Sequence, residues 1–240
     1  MSPLTRMADA LSTVTTTPSA ITGRRMAWLP YVAPFLVFAL FTYGGSAQPA
    51  AAHTWYVAKT VAVGTLLFLF ARRLPELDWC APAADWWIAA VAGVVVLGVW
   101  VAPEQLLAPL KIGAATGFDP YRFGLSPAAT WAVIAVRIAG AALVVPVMEE
   151  LFWRAFLMRY MVRADFLALP LGFYHPFAFF AVAVAFGFEH DRWLVGIVAG
   201  LVYGGLLVWR RRLLPCIVAH AVTNLGLGIY VVATRNWTFW

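Results

Sequence analysis

Long apolar runs, several of them closed by arginines, leave this chain one folding solution over most of its length. A run of about 17–25 apolar residues matches the ~30 Å hydrocarbon core of a bilayer. In that solvent every backbone polar group must be paired within the protein, which a helix achieves inside a single segment. Such runs cover residues 28–43, 54–71, 85–101, 131–161, 176–190, 193–209 and 213–232. The predicted fold is therefore all-α, a polytopic transmembrane helical bundle of about seven spans. With 63% hydrophobic and only 12% charged residues, the composition lies far from that of soluble domains, where charge alone reaches about 25%. Residues 26–240 read as a single transmembrane domain without internal repeats, and residues 1–25, rich in Ser, Thr, Ala and Pro, as a disordered tail.

The net charge of +6 does not point to nucleic acid, because the basic residues form short clusters between the apolar runs. With seven spans, the clusters at 24–25, 72–73, 159–163 and 210–212 all fall on one side, which the positive-inside rule makes cytoplasmic. The expected setting is the inner (cell) membrane, multi-pass, with the N-terminus cytoplasmic and Trp237 and Trp240 at the outer surface. The first run, followed by Gly-Gly-Ser-Ala-Gln-Pro, imitates a cleavable signal peptide but reads as an uncleaved first span, since many spans follow. Cys80 and Cys216 lie too far apart for a metal-type spacing and read as inert.

Within the run 131–161, Pro146-Val-Met-Glu149-Glu150-Leu-Phe-Trp-Arg154 places two carboxylates and a guanidinium where each costs roughly 2.5–3.5 kcal/mol to insert. On a helix Glu150 and Arg154 stand four apart with the acid first, the favourable order for a pair. Glu149 points about 100° away and keeps no local counter-ion. Pro146 divides the run and predicts a kink or break delivering both glutamates to the bundle interior.

Two further polar patches repeat the anomaly. His190 closes Phe186-Gly-Phe-Glu-His190, and His220-Ala-Val-Thr-Asn224 sets an imidazole and a carboxamide on one helix face. Singly, each has a plain structural explanation as interhelical hydrogen bonding. Together they predict an interior polar cavity suited to hydrolysis: a carboxylate sharing a water with a histidine as general base, and a His with an Asn offering donors to an oxyanion. The same side chains admit a second chemistry, with Glu149, His190 and His220 as a His₂Glu zinc set. A non-catalytic membrane scaffold or chaperone, and a proton relay or transporter, complete the alternatives. The spans put Glu149, His220 and Asn224 near mid-membrane and His190 near an outer end, a mismatch of depth.

Glu149-Glu150-x-x-x-Arg154, Phe186-x-x-x-His190 and His220-x-x-x-Asn224, in this order on three polar segments, resemble the three motifs of the CAAX protease and bacteriocin-processing (Abi) family of intramembrane endopeptidases. Val144–Arg154, Glu189–Trp193 and the ending Asn236–Trp240 are similar to the bacterial branch associated with exosortase and PEP-CTERM sorting. The resemblance implies a glutamate-type, metal-free protease with a catalytic core over 131–232 and no cofactor. Glu149 and His190 would activate water, His220 with Asn224 would form the oxyanion site, and Glu150 and Arg154 would support them. Its partners would be the lipid bilayer, a membrane-associated protein or peptide substrate and components of the exosortase system.

Overall fold

The computed structural model describes residues 26–102 and 117–240. The predicted tail over 1–25 and residues 103–116 therefore lie outside the described residues. Among the described residues seven helices of 13 or more residues follow in order: α1 (Leu29–Ala47), α2 (Ala52–Phe70), α3 (Ala83–Val101), α4 (Pro127–Tyr160), α5 (Pro176–Phe188), α6 (Trp193–Arg210) and α7 (Leu214–Thr234). There is no strand among the described residues. All but α5 are long and apolar enough to cross a membrane, α2 together with its flanking 3₁₀ turns.

Local chemistry sets the helix ends. Proline stands at N1 or N2 of α1, α4, α5 and α7, where a missing N–H costs nothing. At α4 the Ser126 hydroxyl also accepts from the Ala129 N–H. Arg211 and Arg235 close α6 and α7 in the left-handed conformation, at φ 53° and 55°.

Arg159, Arg210 and Arg212, from two of the arginine clusters, meet acids at one end of the bundle. Arg159 of α4 pairs with Glu76, which also accepts from the Tyr31 hydroxyl of α1 at 2.7 Å. Arg210 of α6 lies 2.6 Å from Asp85 of α3, and Arg212 lies 3.2 Å from Asp78. The start of α3 and the ends of α4 and α6 thus share one face with the turn after α2, as the loop charges predict.

Pro146 does not break its helix. Instead α4 runs continuously and changes register, with π-helical turns over Gly140–Val144 and Leu151–Leu157. The first of these widens the helix just before the proline ring, relieving its clash with the preceding turn. Facing α1, a stack of rings fixes the rotation of α4: Phe35 lies 3.9 Å from Phe152, nearly parallel, and edge-on to Trp153. That rotation turns Glu149 and Glu150 inward.

The shortest helix has the tightest seat. A Cβ on Gly196 of α6 would come within 2.9 Å of the Gly187 Cα of α5, so the two backbones touch where neither residue carries a side chain. At 13 residues, α5 is roughly 20 Å long, well short of a ~30 Å hydrocarbon core. His190 lies two residues beyond the end of α5 and borders the same space as Glu149, His220 and Asn224, so the offset between them read from the spans does not keep them apart.

Candidate active site

Burial of charge reaches its extreme on α4. Glu149, Glu150 and Arg154 are 3%, 0% and 1% exposed. The Arg154 guanidinium donates to Glu150 Oε1 at 3.1 Å and lies 4.2 Å above the Phe186 ring, so its charge has both an anion and a π face. The i, i+4 pair expected from the sequence is therefore present. In the π-helical turn, which takes more residues per revolution, the two side chains remain on one face.

His220 of α7 joins this pair from the opposite wall. Its Nδ1 lies 2.9 Å from the same Glu150 oxygen, and its ring stacks on Tyr203 of α6 at 5.1 Å. The Tyr203 hydroxyl donates to Thr223, whose hydroxyl lies within hydrogen-bond distance of the Gly93 and Ala219 carbonyls. Four helices thus hold one imidazole in one orientation. Nδ1 is engaged by a carboxylate, and Nε2 is the atom presented to Glu149, 4.0 Å from its Oε2. Glu149 Oε2 itself has no hydrogen-bond partner among the described residues.

The open side of this cluster is a cavity of about 580 Å³, with Glu149, His190, His220 and Asn224 all in its wall. The four residues given catalytic roles from the sequence are thus brought to one space by three segments: α4, the turn after α5, and α7. His190 is oriented by its Nδ1, 2.9 Å from the Phe186 carbonyl, and by the Trp100 ring at 5.3 Å. Asn224 donates from Nδ2 to the Ala141 carbonyl at 2.8 Å, leaving its second amide hydrogen for the cavity. That acceptor is available for a definite reason. The Val145 N–H bonds to the Gly140 carbonyl, five residues back; continuing this register assigns Ala141 to residue 146, and Pro146 has no N–H to give.

Three ionisable residues of the cavity had no role in the sequence reading. Glu189 accepts from the Trp153 indole at 3.0 Å, and its adjacency to His190 was the available signal. Lys59 and Arg137 are each a single cation inside an apolar run. Both line the cavity. Trp240 folds back from the end of α7 to the same wall, its carbonyl accepting from the Phe118 N–H at 3.0 Å.

As holders of zinc, Glu149, His190 and His220 fit poorly. Among the described residues no three His, Cys, Asp or Glu side chains are grouped as a metal ion requires. Cys216 is buried and points its thiol at the Tyr203 carbonyl, 3.2 Å away, while Cys80 is exposed.

Fold and site together define a multi-pass helical membrane protein with an acid, histidine and amide cluster facing an internal cavity. Residues 128–226 match the family described as type II CAAX prenyl endopeptidase, Rce1-like, so a domain of that kind is found in the chain. The matched stretch contains all six residues singled out above, from Glu149 to Asn224. Neither a curated protein nor a solved structure matches the chain.

Proposed function

We propose that this protein is a glutamate-type intramembrane endopeptidase that hydrolyses a peptide bond of a membrane-associated protein without a metal. The observation that carries the reading is the meeting of Glu149 with His220, Nε2 to Oε2 4.0 Å, on a cavity that His190 and Asn224 also line. Glu149, whose Oε2 has no hydrogen-bond partner among the described residues, takes a proton from water as the water oxygen adds to the scissile carbonyl, with His190 sharing the water. The negative charge passes to the carbonyl oxygen. His220, as an imidazolium held through Nδ1 by Glu150, donates to it from Nε2, and the second Asn224 amide hydrogen supplies another donor. Glu149 then returns the proton to the leaving nitrogen as the C–N bond breaks. In this state two carboxylates, one guanidinium and one imidazolium sum to zero, which suits a buried cluster.

We place the arginine-rich end in the cytoplasm and the protein in the inner membrane, on the strength of the loop charges. The resemblance of Val144–Arg154, Glu189–Trp193 and Asn236–Trp240 to the exosortase-associated branch makes tail-anchored sorting substrates the first to try. The test is cleavage of such a reporter by the purified protein in nanodiscs. Wild type should cut it in the presence of a strong chelator, and Glu149→Gln should lower the rate by about 10²–10⁴-fold. Loss of activity in chelator, with recovery on adding zinc, would refute the metal-free mechanism.

A further inference from the structure

Two cations face the cavity, Lys59 buried and Arg137 half-buried, and neither is within ion-pair distance of the acids that share it. Lys59 on α2 is 9% exposed; its Nζ donates to the Thr42 hydroxyl at 3.0 Å and lies 4.1 Å from the centre of the Phe38 ring. Arg137 on α4 sits among three rings, its guanidinium carbon 4.5 Å from Tyr56, 4.2 Å from Phe118 and 5.2 Å from Trp240. Its Nε is buried and has no hydrogen-bond partner among the described residues. Lys59 Nζ also lies 4.8 Å from the centre of that Tyr56 ring, so one aromatic side chain holds the two cations close together. Among the described residues no carboxylate forms an ion pair with either.

Such a pair is unfavourable as it stands. Two like charges repel, both have left water, and π faces compensate only part of the cost. Every other buried cation of the bundle described above has an acid: Arg154 has Glu150 and Arg159 has Glu76. Lys59 and Arg137 differ in position as well. They line both the cavity of Glu149 and an adjoining one of about 840 Å³, bounded by Trp55, Phe118 and Trp240, and so stand where the two spaces join. Asp119 and Asp191 border the outer space; Asp119 pairs with Arg122 at 3.5 Å, and neither forms an ion pair with Lys59 or Arg137. An anion that enters with the substrate would meet both cations, while the chain attached to it extends toward Glu149.

We infer that Lys59 and Arg137 form a binding site for a carboxylate of the substrate, which fixes how far from that carboxylate the chain is cut. The inference rests on the peptidase reading for the substrate but not for the site. Two sources share this chemistry, the α-carboxylate at a chain's C-terminus and an acidic side chain near it.

The test uses three probes on the full-length protein in nanodiscs: a fluorescently labelled apolar octapeptide with a free C-terminus, its C-terminal amide, and the amide carrying Asp next to its last residue. Binding is read by anisotropy, independently of cleavage, and kcat and KM are measured on the same samples. One or two charge-assisted hydrogen bonds give wild type a preference of about 10- to 100-fold for the free acid over the plain amide. In Lys59→Gln/Arg137→Gln that preference falls to about threefold or less, carried by KM rather than kcat. Lys59→Arg keeps it, which separates lost recognition from misfolding. Tight binding of the Asp amide assigns the site to side-chain carboxylates as well; weak binding assigns it to the C-terminus. A wild type that binds acid and amide alike, with or without Asp, overturns the inference, as does a preference that survives the double substitution. Cleavage without the preference defeats this site alone, and the preference without cleavage defeats the peptidase reading alone.

Discussion

Replacing Arg154 by Gln should destabilise the protein far more than replacing Arg154 and Glu150 together. The guanidinium is 1% exposed and bonded at 3.1 Å to a carboxylate that is 0% exposed. Removing it leaves Glu150 buried beside Glu149, with His220 as its remaining counter-ion. Breaking one member of such a pair costs about 3–5 kcal/mol. Loss of the contact with Phe186, at 4.2 Å, adds about 0.5–2 kcal/mol. At about 2–4 °C per kcal/mol for a chain of this size, the melting temperature should fall by roughly 7–28 °C. Glu150→Gln should cost less, because the amide oxygen can still accept from His220 while the orphaned guanidinium keeps its π contact. In the double variant both charges are gone and the amides can bond to each other. A double-mutant cycle by differential scanning fluorimetry in detergent should therefore give a coupling above about 1 kcal/mol. Single variants melting within about 2 °C of wild type would refute the buried pair as a stabilising element.

Glu149→Gln should leave the melting temperature unchanged or raised, since the amide keeps the size of the side chain and removes the cost of burying its charge, while abolishing hydrolysis; a stable variant with near-normal turnover would move the base to another residue. His190→Ala should match it in lost activity, measured on the same reporter. Asn224→Ala should cost about 1–3 kcal/mol by stranding the Ala141 carbonyl. Adding Pro146→Ala, which restores an N–H in register with that carbonyl, should recover the melting temperature without recovering activity. Cysteines placed at Arg72, Arg163 and Arg211 in a Cys80→Ser background should all be labelled by an impermeant maleimide from one face, and a cysteine at Thr238 from the other. Labelling of the first three from different faces would contradict the common end formed by Arg159, Arg210 and Arg212.

The residues that sequence reasoning found are those whose anomaly is local. Glu149, Glu150 and Arg154 stand out because charge inside an apolar run is costly, and i, i+4 spacing alone predicts which two pair. His220 and Asn224 announce themselves in the same way. What escaped depends on three-dimensional register. His190 seemed offset from the other three because nothing in Pro176–His190 shows that the helix ends at Phe188 and that the turn after it brings His190 to their cavity. The break considered at Pro146 does not occur, because the widened turn at Gly140–Val144 accommodates the ring, and the partnership of Asn224 with Ala141 exists only in that shifted register. Lys59 and Arg137 were hidden by ambiguity of another kind. A cation in an apolar run looks the same whether its stem reaches for the headgroups or curls into a cavity.

The brevity of α5 also has a consequence for the lipid around it. Its outer face, with Phe177, Phe180, Val184 and Phe188 exposed, meets acyl chains along roughly 20 Å, about 10 Å less than a typical bilayer offers. On that flank the lipids must thin or tilt, drawing headgroups and water toward the turn that carries His190, at a cost that grows with acyl-chain length. On the proposed peptidase reading, the host membrane then becomes part of the specificity. Hydrolysis in liposomes should quicken as chains shorten from C18 to C14, and a rate indifferent to bilayer thickness would show that the mismatch is relieved elsewhere in the bundle.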